Sequence, residues 1–289
     1  MIQSGRLLPK HPVYSILAGP HASNLRGRGL DFEEVRLYTP GDDIRNIDWR
    51  VTARTGQTYS KVFNEEKERP SFIIVDQGTS MFFGSKRFVK SVTAAHAAAI
   101  GAFYTLKRGD RVGGIVFDDH DFDYIIPKRS KSLVQHFLRC IVNRNSQLPA
   151  RKTVQKSTKA LNAMLRKTLS MITHDYVITV ISDFTAIEDE TQQYLKSMRS
   201  HNDVILIHVY DPLDTTLPDG KLLLSEGEHQ LQWNNSRRKW GKKYSQDYDA
   251  WKLKMMDEFR HYGIPLVFLS TESPVEEQIM KTMMQTTQQ

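Results

Sequence analysis

FIIVDQGTSMFFGS (Phe72–Ser85) is the stretch whose reading decides the fold. Phe72, Ile73, Ile74 and Val75 make a continuous apolar run rich in β-branched residues, set off by Pro70 before it and by Asp76, Gly78 and Ser80 after it. Such a run reads as a strand buried on both faces, as in a parallel sheet. The strand ends on a carboxylate, a small polar loop follows, and an alanine-rich helical pattern begins at Lys86. In open α/β sheets the loops at the carboxyl ends of the strands converge on the ligand. Asp76 is therefore the first candidate site residue.

Downstream, strands and helices alternate. A helix is expected over Lys86–Lys107, with Phe88, Val92, Ala95, Ala99 and Phe103 on its apolar face. Arg111–Phe117 reads as a strand, Asp118–Asp121 as an acidic turn and Tyr124–Pro127 as an edge strand in a hairpin. Lys131–Val142 is a predicted helix, Asn143–Lys156 a polar loop and Thr158–Ile172 a second helix. Tyr176–Ser182 is a predicted strand that again ends on an acid, Asp183. Ile187–Ser200 (helix), Val204–Val209 (strand, ending near Asp211), Leu266–Leu269 (strand) and Glu276–Met284 (helix) complete the pattern. The expected class is α/β: a central, mainly parallel sheet with helices on both faces. The alternation breaks over about 213–246, where LLLSEGEHQLQW suggests a hairpin around Glu226-Gly227, followed by basic and aromatic WNNSRRKWGKKYSQDY and an amphipathic helix over Asp247–Tyr262.

Ahead of the first sheet strand, residues 1–70 read as an arm or small subdomain, and residues 71–289 as the main domain with the insertion. Pro40-Gly41 signals a turn, and Val51–Phe63 suggests short strands. The chain has 289 residues, 39% of them hydrophobic, enough to build a core. A single cysteine, Cys140, excludes a disulfide framework and a cysteine metal centre. No apolar run approaches the roughly 18 residues of a membrane span, so a cytoplasmic, reducing compartment is expected. The net charge of +7 suits an acidic partner, a nucleic acid or a membrane surface without choosing among them.

Two strands end in acids, Asp76 and Asp183, with Thr79, Ser80 and Ser182 close by. Carboxylates and hydroxyls gathered at a sheet edge could hold a hard cation such as magnesium; the plainer reading is that the acids cap the helices that follow. Asp42, Asp43, Arg45, Asp48, Arg50 and Arg54 crowd around Trp49. They read either as a docking surface or a loop completing the Asp76 site, or as an internal ion-pair network with Trp49 as packing anchor. Asp118, Asp119, Asp121 and Asp123 suggest a calcium-like cluster but lack EF-hand spacing. Arg237, Arg238, Lys239, Lys242 and Lys243 alternate with Trp233, Trp240 and Tyr244, a composition that can grip single-stranded nucleic acid and more commonly forms a solvated loop. Cys140 and His96 read as packed residues. A phosphohydrolase with Asp76 as nucleophile would need a second acid two residues on, where Gly78 stands.

Arg36–Arg54 (RLYTPGDDIRNIDWRVTAR), with Lys61-Val62-Phe63, Glu65-Glu66 and the strand into Asp76, closely resembles the domain of unknown function 58 family, and VDQGTSM resembles the Asp-x-Ser-x-Ser metal motif of von Willebrand factor A domains. With Ser182-Asp183-Phe184, the resemblance spans roughly residues 25–210. It implies a von Willebrand A-like fold and a non-enzymatic protein-interaction module. The implied role is that of an adaptor beside a MoxR-type AAA+ ATPase in the maturation or assembly of a client protein. It also implies a magnesium site carried by Asp76, Ser80, a second-loop threonine (Thr158, with Thr153 as rival) and Asp183. That site is degraded, because Gly78 replaces a serine ligand.

Overall fold

The computed structural model describes residues 30–65, 69–148, 158–185, 187–216, 221–226, 229–234 and 238–286. The chain divides into two compact units, one of them His21–Glu68 and the other carrying Arg69–Gln289.

In the smaller unit, β1 (Leu30–Leu37) pairs antiparallel with β2 (Tyr59–Glu65), and α1 (Trp49–Thr55) lies between them in sequence. Of the short strands expected over Val51–Phe63, the latter part is present as β2, whereas Val51–Thr55 is helical. Asp48 caps it by accepting from the backbone N–H groups of Arg50 and Val51, and Gly56 closes it in the left-handed region at φ 72°. These end signals override the β preference of Val51 and Thr52.

The larger unit holds a six-stranded sheet in the order β10-β7-β6-β3-β4-β5. Its strands are β3 (Ser71–Asp76), β4 (Val112–Phe117), β5 (Phe122–Lys128), β6 (Val177–Ser182), β7 (Asp203–Tyr210) and β10 (Leu266–Ser270). Every pairing is parallel except β4–β5, the expected hairpin. The chain runs from β3 outward to β4 and returns on the other side of β3 at β6. The carboxyl ends of β3 and β6 thus form the topological switch point, and they carry Asp76 and Asp183.

Alternation along β3 sends Ile73 and Val75 to one face and Phe72 and Ile74 to the other. The first face is covered by α2 (Lys90–Lys107), α3 (Lys131–Gln147) and α8 (Val275–Thr286). The second is covered by α4 (Thr158–Met171), α5 (Asp189–Arg199) and α7 (Arg238–His261). The expected α/β sheet with helices on both faces is present.

Three local expectations are corrected. Helix α2 starts at Lys90 rather than Lys86, and its buried face is Ala94, Ala97, Ala98 and Ala102, while Phe103 is exposed. The alanines let the helix lie close on the sheet, and the bulkier residues sit on its flanks. Helix α3 continues to Gln147, so part of the expected polar loop is helical. Helix α7 starts at Arg238, which makes the latter part of the basic and aromatic stretch helical. The hairpin of the insertion is present as β8 (Lys221–Glu226) and β9 (His229–Asn234), with Glu226 opposite His229. Residues 1–25, Thr153 and the Trp233 and Trp240 side chains lie outside what is described.

Helix α7 extends past the end of the insertion and contributes Met255 and Phe259 to the core, whereas Leu253 points to solvent. Phe259→Ala is expected to cost about 3–5 kcal/mol of unfolding free energy, and Leu253→Ala no more than about 0.5 kcal/mol. Denaturant unfolding of the two variants checks this; equal, small losses would mean that α7 does not belong to the core.

Candidate functional site

Three strand ends meet at the carboxyl edge. Asp76 is wholly buried; its Oδ1 accepts from the Gly78 N–H at 2.8 Å and its Oδ2 from Ser182 Oγ at 2.7 Å, so one carboxylate joins β3, its own loop and β6. Asp183 follows Ser182 and accepts from the Lys90 ammonium at 2.9 Å through Oδ2. Asp211, at the end of β7, accepts from the Ser85 N–H at 2.8 Å, from Ser85 Oγ and from Thr271 Oγ1 at 2.6 Å. It thereby ties the loop after β3 to the end of β10. Asp211 also caps α6 (Pro212–Thr215), where Asp214 lies 3.7 Å from Lys90 Nζ.

Burial alone would lower the affinity of Lys90 for its proton, but the Asp183 and Asp214 carboxylates outweigh it and hold the ammonium above the ordinary lysine range. Burial works to raise the Asp211 carboxyl, and the hydrogen bonds from Ser85, Thr271 and Leu213 prevail and hold it below the usual carboxylate range. Asp214 goes the other way: burial pushes it up, with Lys90 in opposition.

The remaining expected ligands are less favourably placed. Gly78 has φ −71°, ordinary extended backbone that a serine could adopt, so conformation does not require glycine there. Space is tight instead: a Cβ at Gly78 would sit 2.8 Å from Asp119 Oδ1 and 3.0 Å from Asp76 Oδ1, so those carboxyl groups would have to shift. Asp119 reaches this position from the β4–β5 turn and accepts from the Thr79 N–H at 2.9 Å. Ser80 Oγ and Asp119 Oδ1 are buried without a hydrogen-bond partner among the described residues. Thr158 opens α4, and its side chain lies outside the described residues. Tested against a magnesium ion, the expected set does not fit at positions 78 and 183. Position 78 offers no side-chain oxygen, and Asp183 is already paired with an ammonium. Among the described residues no group of three or more His, Cys, Asp or Glu is arranged to hold a metal.

The expected calcium-like cluster is organised by a cation of the chain itself. Arg144 on α3 lies 2.6 Å from Asp118, 2.7 Å from Asp123 and 3.7 Å from Asp121. In the smaller unit the acids cap and pair locally. Asp42 accepts from Arg36 at 2.6 Å, Asp43 caps a 3-10 turn through the Arg45 N–H, and Asp48 lies 3.5 Å from Lys61. The Thr39 N–H above all holds Asp42 below the usual carboxylate range, and the Val51 N–H does the same for Asp48. Trp49 is 69% exposed and so is no packing anchor within its unit.

The chain belongs to the family Protein of unknown function DUF58, which matches residues 34–250. Uncharacterized proteins of Mycobacterium tuberculosis and Mycobacterium bovis are 29% identical to it over 225 residues, 77% of this chain and 68% of theirs. Among solved structures it is similar to the VWA domain of SpRpn10 (12% identity, 75% of this chain and 95% of that one, TM-score 0.36). It is also similar to the pilus adhesin SpaC of Lactobacillus rhamnosus GG (11% identity, 78% of this chain and 31% of that one, TM-score 0.39).

Several residues of this DUF58 edge escaped sequence reasoning. Asp211 carried the same strand-end signal as Asp76 and Asp183. Lys90 carried none, since a lysine at a helix start reads as solvated. His208 on β7 is buried among Phe184, Tyr210, Trp251 and Phe268, with ring centroids 5.1–6.3 Å away, and its Nε2 is 3.4 Å from the Tyr248 hydroxyl. Burial pulls its pKa down to about 4; Asp183 resists, and Lys90 and Lys252 add to the fall.

Two predictions follow from this geometry. Gly78→Ser is expected to destabilise by roughly 1–3 kcal/mol through the Asp119 clash. Asp119→Ala should relieve that cost, so a double-mutant cycle should show non-additivity of at least about 0.5 kcal/mol; additive losses would remove Asp119 as the obstacle.

His208 sets a pH window. The unfolded chain takes up its proton near 6.5, whereas the folded chain refuses it until about 4. The corresponding stability is complete above 6.5 and is lost, by up to about 3 kcal/mol, as pH falls toward 4. His208→Phe should flatten that part of the stability–pH curve relative to wild type; superimposable slopes would refute the assignment.

Proposed function

We propose that this chain is a non-enzymatic protein-interaction module. In this reading it works beside a MoxR-type AAA+ ATPase in the maturation or assembly of a client protein, and it docks through the loop that follows β3. The observation that carries the reading is the presentation of that loop. Phe82 is 45% exposed directly after the fully buried Met81, and Lys86 and Arg87 are exposed beside it. Ser85, between them, is pinned to Asp211. An aromatic and two cations held on a fixed backbone suit a hot spot for an acidic partner surface, because little ordering entropy is lost on docking.

The acids of the edge support a non-catalytic role. Asp76, Asp183 and Asp211 are each engaged by internal donors, and a phosphohydrolase would need Asp76 open to a phosphoryl group and an acid where Gly78 stands. Cys140 is no nucleophile either. His136 Nε2 lies 3.7 Å from its sulfur, but burial, and then Asp123, push the thiol up and keep it protonated. No helix of the described residues is long and apolar enough to cross a membrane.

Full-length chain titrated with the purified ATPase of the same genome, with and without nucleotide, tests the reading. A saturable complex is expected. Phe82→Ala should weaken it about tenfold, or ~1.4 kcal/mol, at an unchanged melting temperature, and the charge reversals Lys86→Glu and Arg87→Glu should weaken it more at low salt than at high. No complex with wild type would overturn the partner, and equal affinity in all three variants would overturn the docking loop.

A further inference from the structure

Lys90 opens α2, yet its side chain is only 5% exposed. Its ammonium lies 2.9 Å from Asp183 Oδ2, 3.7 Å from Asp214 Oδ2 and 5.9 Å from the centre of the Phe83 ring. The other oxygen of Asp183 accepts from the Thr185 N–H at 3.4 Å, so each oxygen of this acid has a donor from the chain. The backbone of Lys90 is fixed as well, its N–H donating to the Phe83 carbonyl at 2.8 Å. A divalent ion drawn to Asp183 would meet a buried ammonium on the same carboxylate, and like charges in a water-poor interior repel strongly. The lysine head is directed inward, its side chain 5% exposed beside Asp183, Asp214 and Phe83.

We propose that the ammonium of Lys90 is the resident cation of this switch point. It holds Asp183 and Asp214 where a divalent ion would otherwise be required, and the loops at the carboxyl edge keep their shape without metal. The cluster belongs to the chain alone, whichever partner docks beside it. Asp76 and Asp119 lie in the adjoining half of the edge, where Asp76 accepts from the Gly78 N–H and Ser182 Oγ and Asp119 from the Thr79 N–H.

The test is calorimetric titration of the full chain with Mn2+, combined with thermal unfolding in Mg2+ and in EDTA. Wild type is expected to show no saturable Mn2+ binding and the same melting temperature in both solutions. Lys90→Gln, which keeps the length and a donor but removes the charge, should melt at lower temperature, and added Mn2+ should raise its melting temperature again. If Lys90→Gln does not fold, the paired variant Lys90→Gln/Asp183→Asn removes both charges and is expected to recover folding. Saturable Mn2+ binding by wild type that Asp183→Asn abolishes would overturn the proposal. So would a Lys90→Gln protein as stable as wild type, or a paired variant as unfolded as the single one.

Discussion

The Asp76 carboxylate, sealed from water, is the joint on which the carboxyl edge depends. A buried polar group is expensive unless hydrogen bonds replace the water it has lost. Asp76 meets that condition by accepting from its own loop at Gly78 and from Ser182 on the neighbouring strand. Both bonds come from elements that diverge on opposite sides of the switch point, so forming them fixes where the loop after β3 and the loop after β6 begin. The next residue continues the arrangement: Gln77 is wholly buried and bonds to the Ser91 carbonyl and to Asn145. Helices α2 and α3 are thus registered against the strand end by side-chain amides, in addition to the apolar packing of their faces.

Much of this was legible in the sequence. Runs such as Phe72–Val75 and Val177–Ile181 announce strands buried on both faces, because only a sheet covered on two sides accepts unbroken β-branched residues. The acids that end them mark the ligand-facing edge. What escaped has identifiable physical causes. The buried face of α2 was misjudged because Phe88 and Phe103 drew the expected stripe through Ala95 and Ala99, whereas Ala94, Ala98 and Ala102, one position round the helix, lie against the sheet. Helix α1 was misread because Val51 and Thr52 have β preference, although Asp48 and Gly56 supplied both end signals. Lys90 could not be found at all: a lysine is buried only when acids from distant strands converge on it, and that convergence is a property of the fold.

The β4–β5 turn shows how one short acidic run serves two environments. Asp118 and Asp123 face the Arg144 guanidinium, whose planar fork holds them at 2.6 and 2.7 Å. Asp119, between them in sequence, turns the other way and binds the Thr79 backbone. The hairpin is therefore clamped to α3 on one side and leans on the loop after β3 on the other. The space that Asp119 fills is the space a serine at position 78 would use, so the glycine and the aspartate are two halves of one packing solution.

Cys140 gives the protein a built-in gauge of its own opening. It is the chain's single thiol, it packs in the core between α3 and the sheet, and its surroundings keep it protonated. A thiol reagent at neutral pH can reach it only when that face of the sheet separates from its helices. Where closing outruns labelling, the modification rate reads the equilibrium between closed and opened molecules rather than the intrinsic reactivity of the sulfur. The chain thus carries, without any engineering, a chemical clock set by the cohesion of its core.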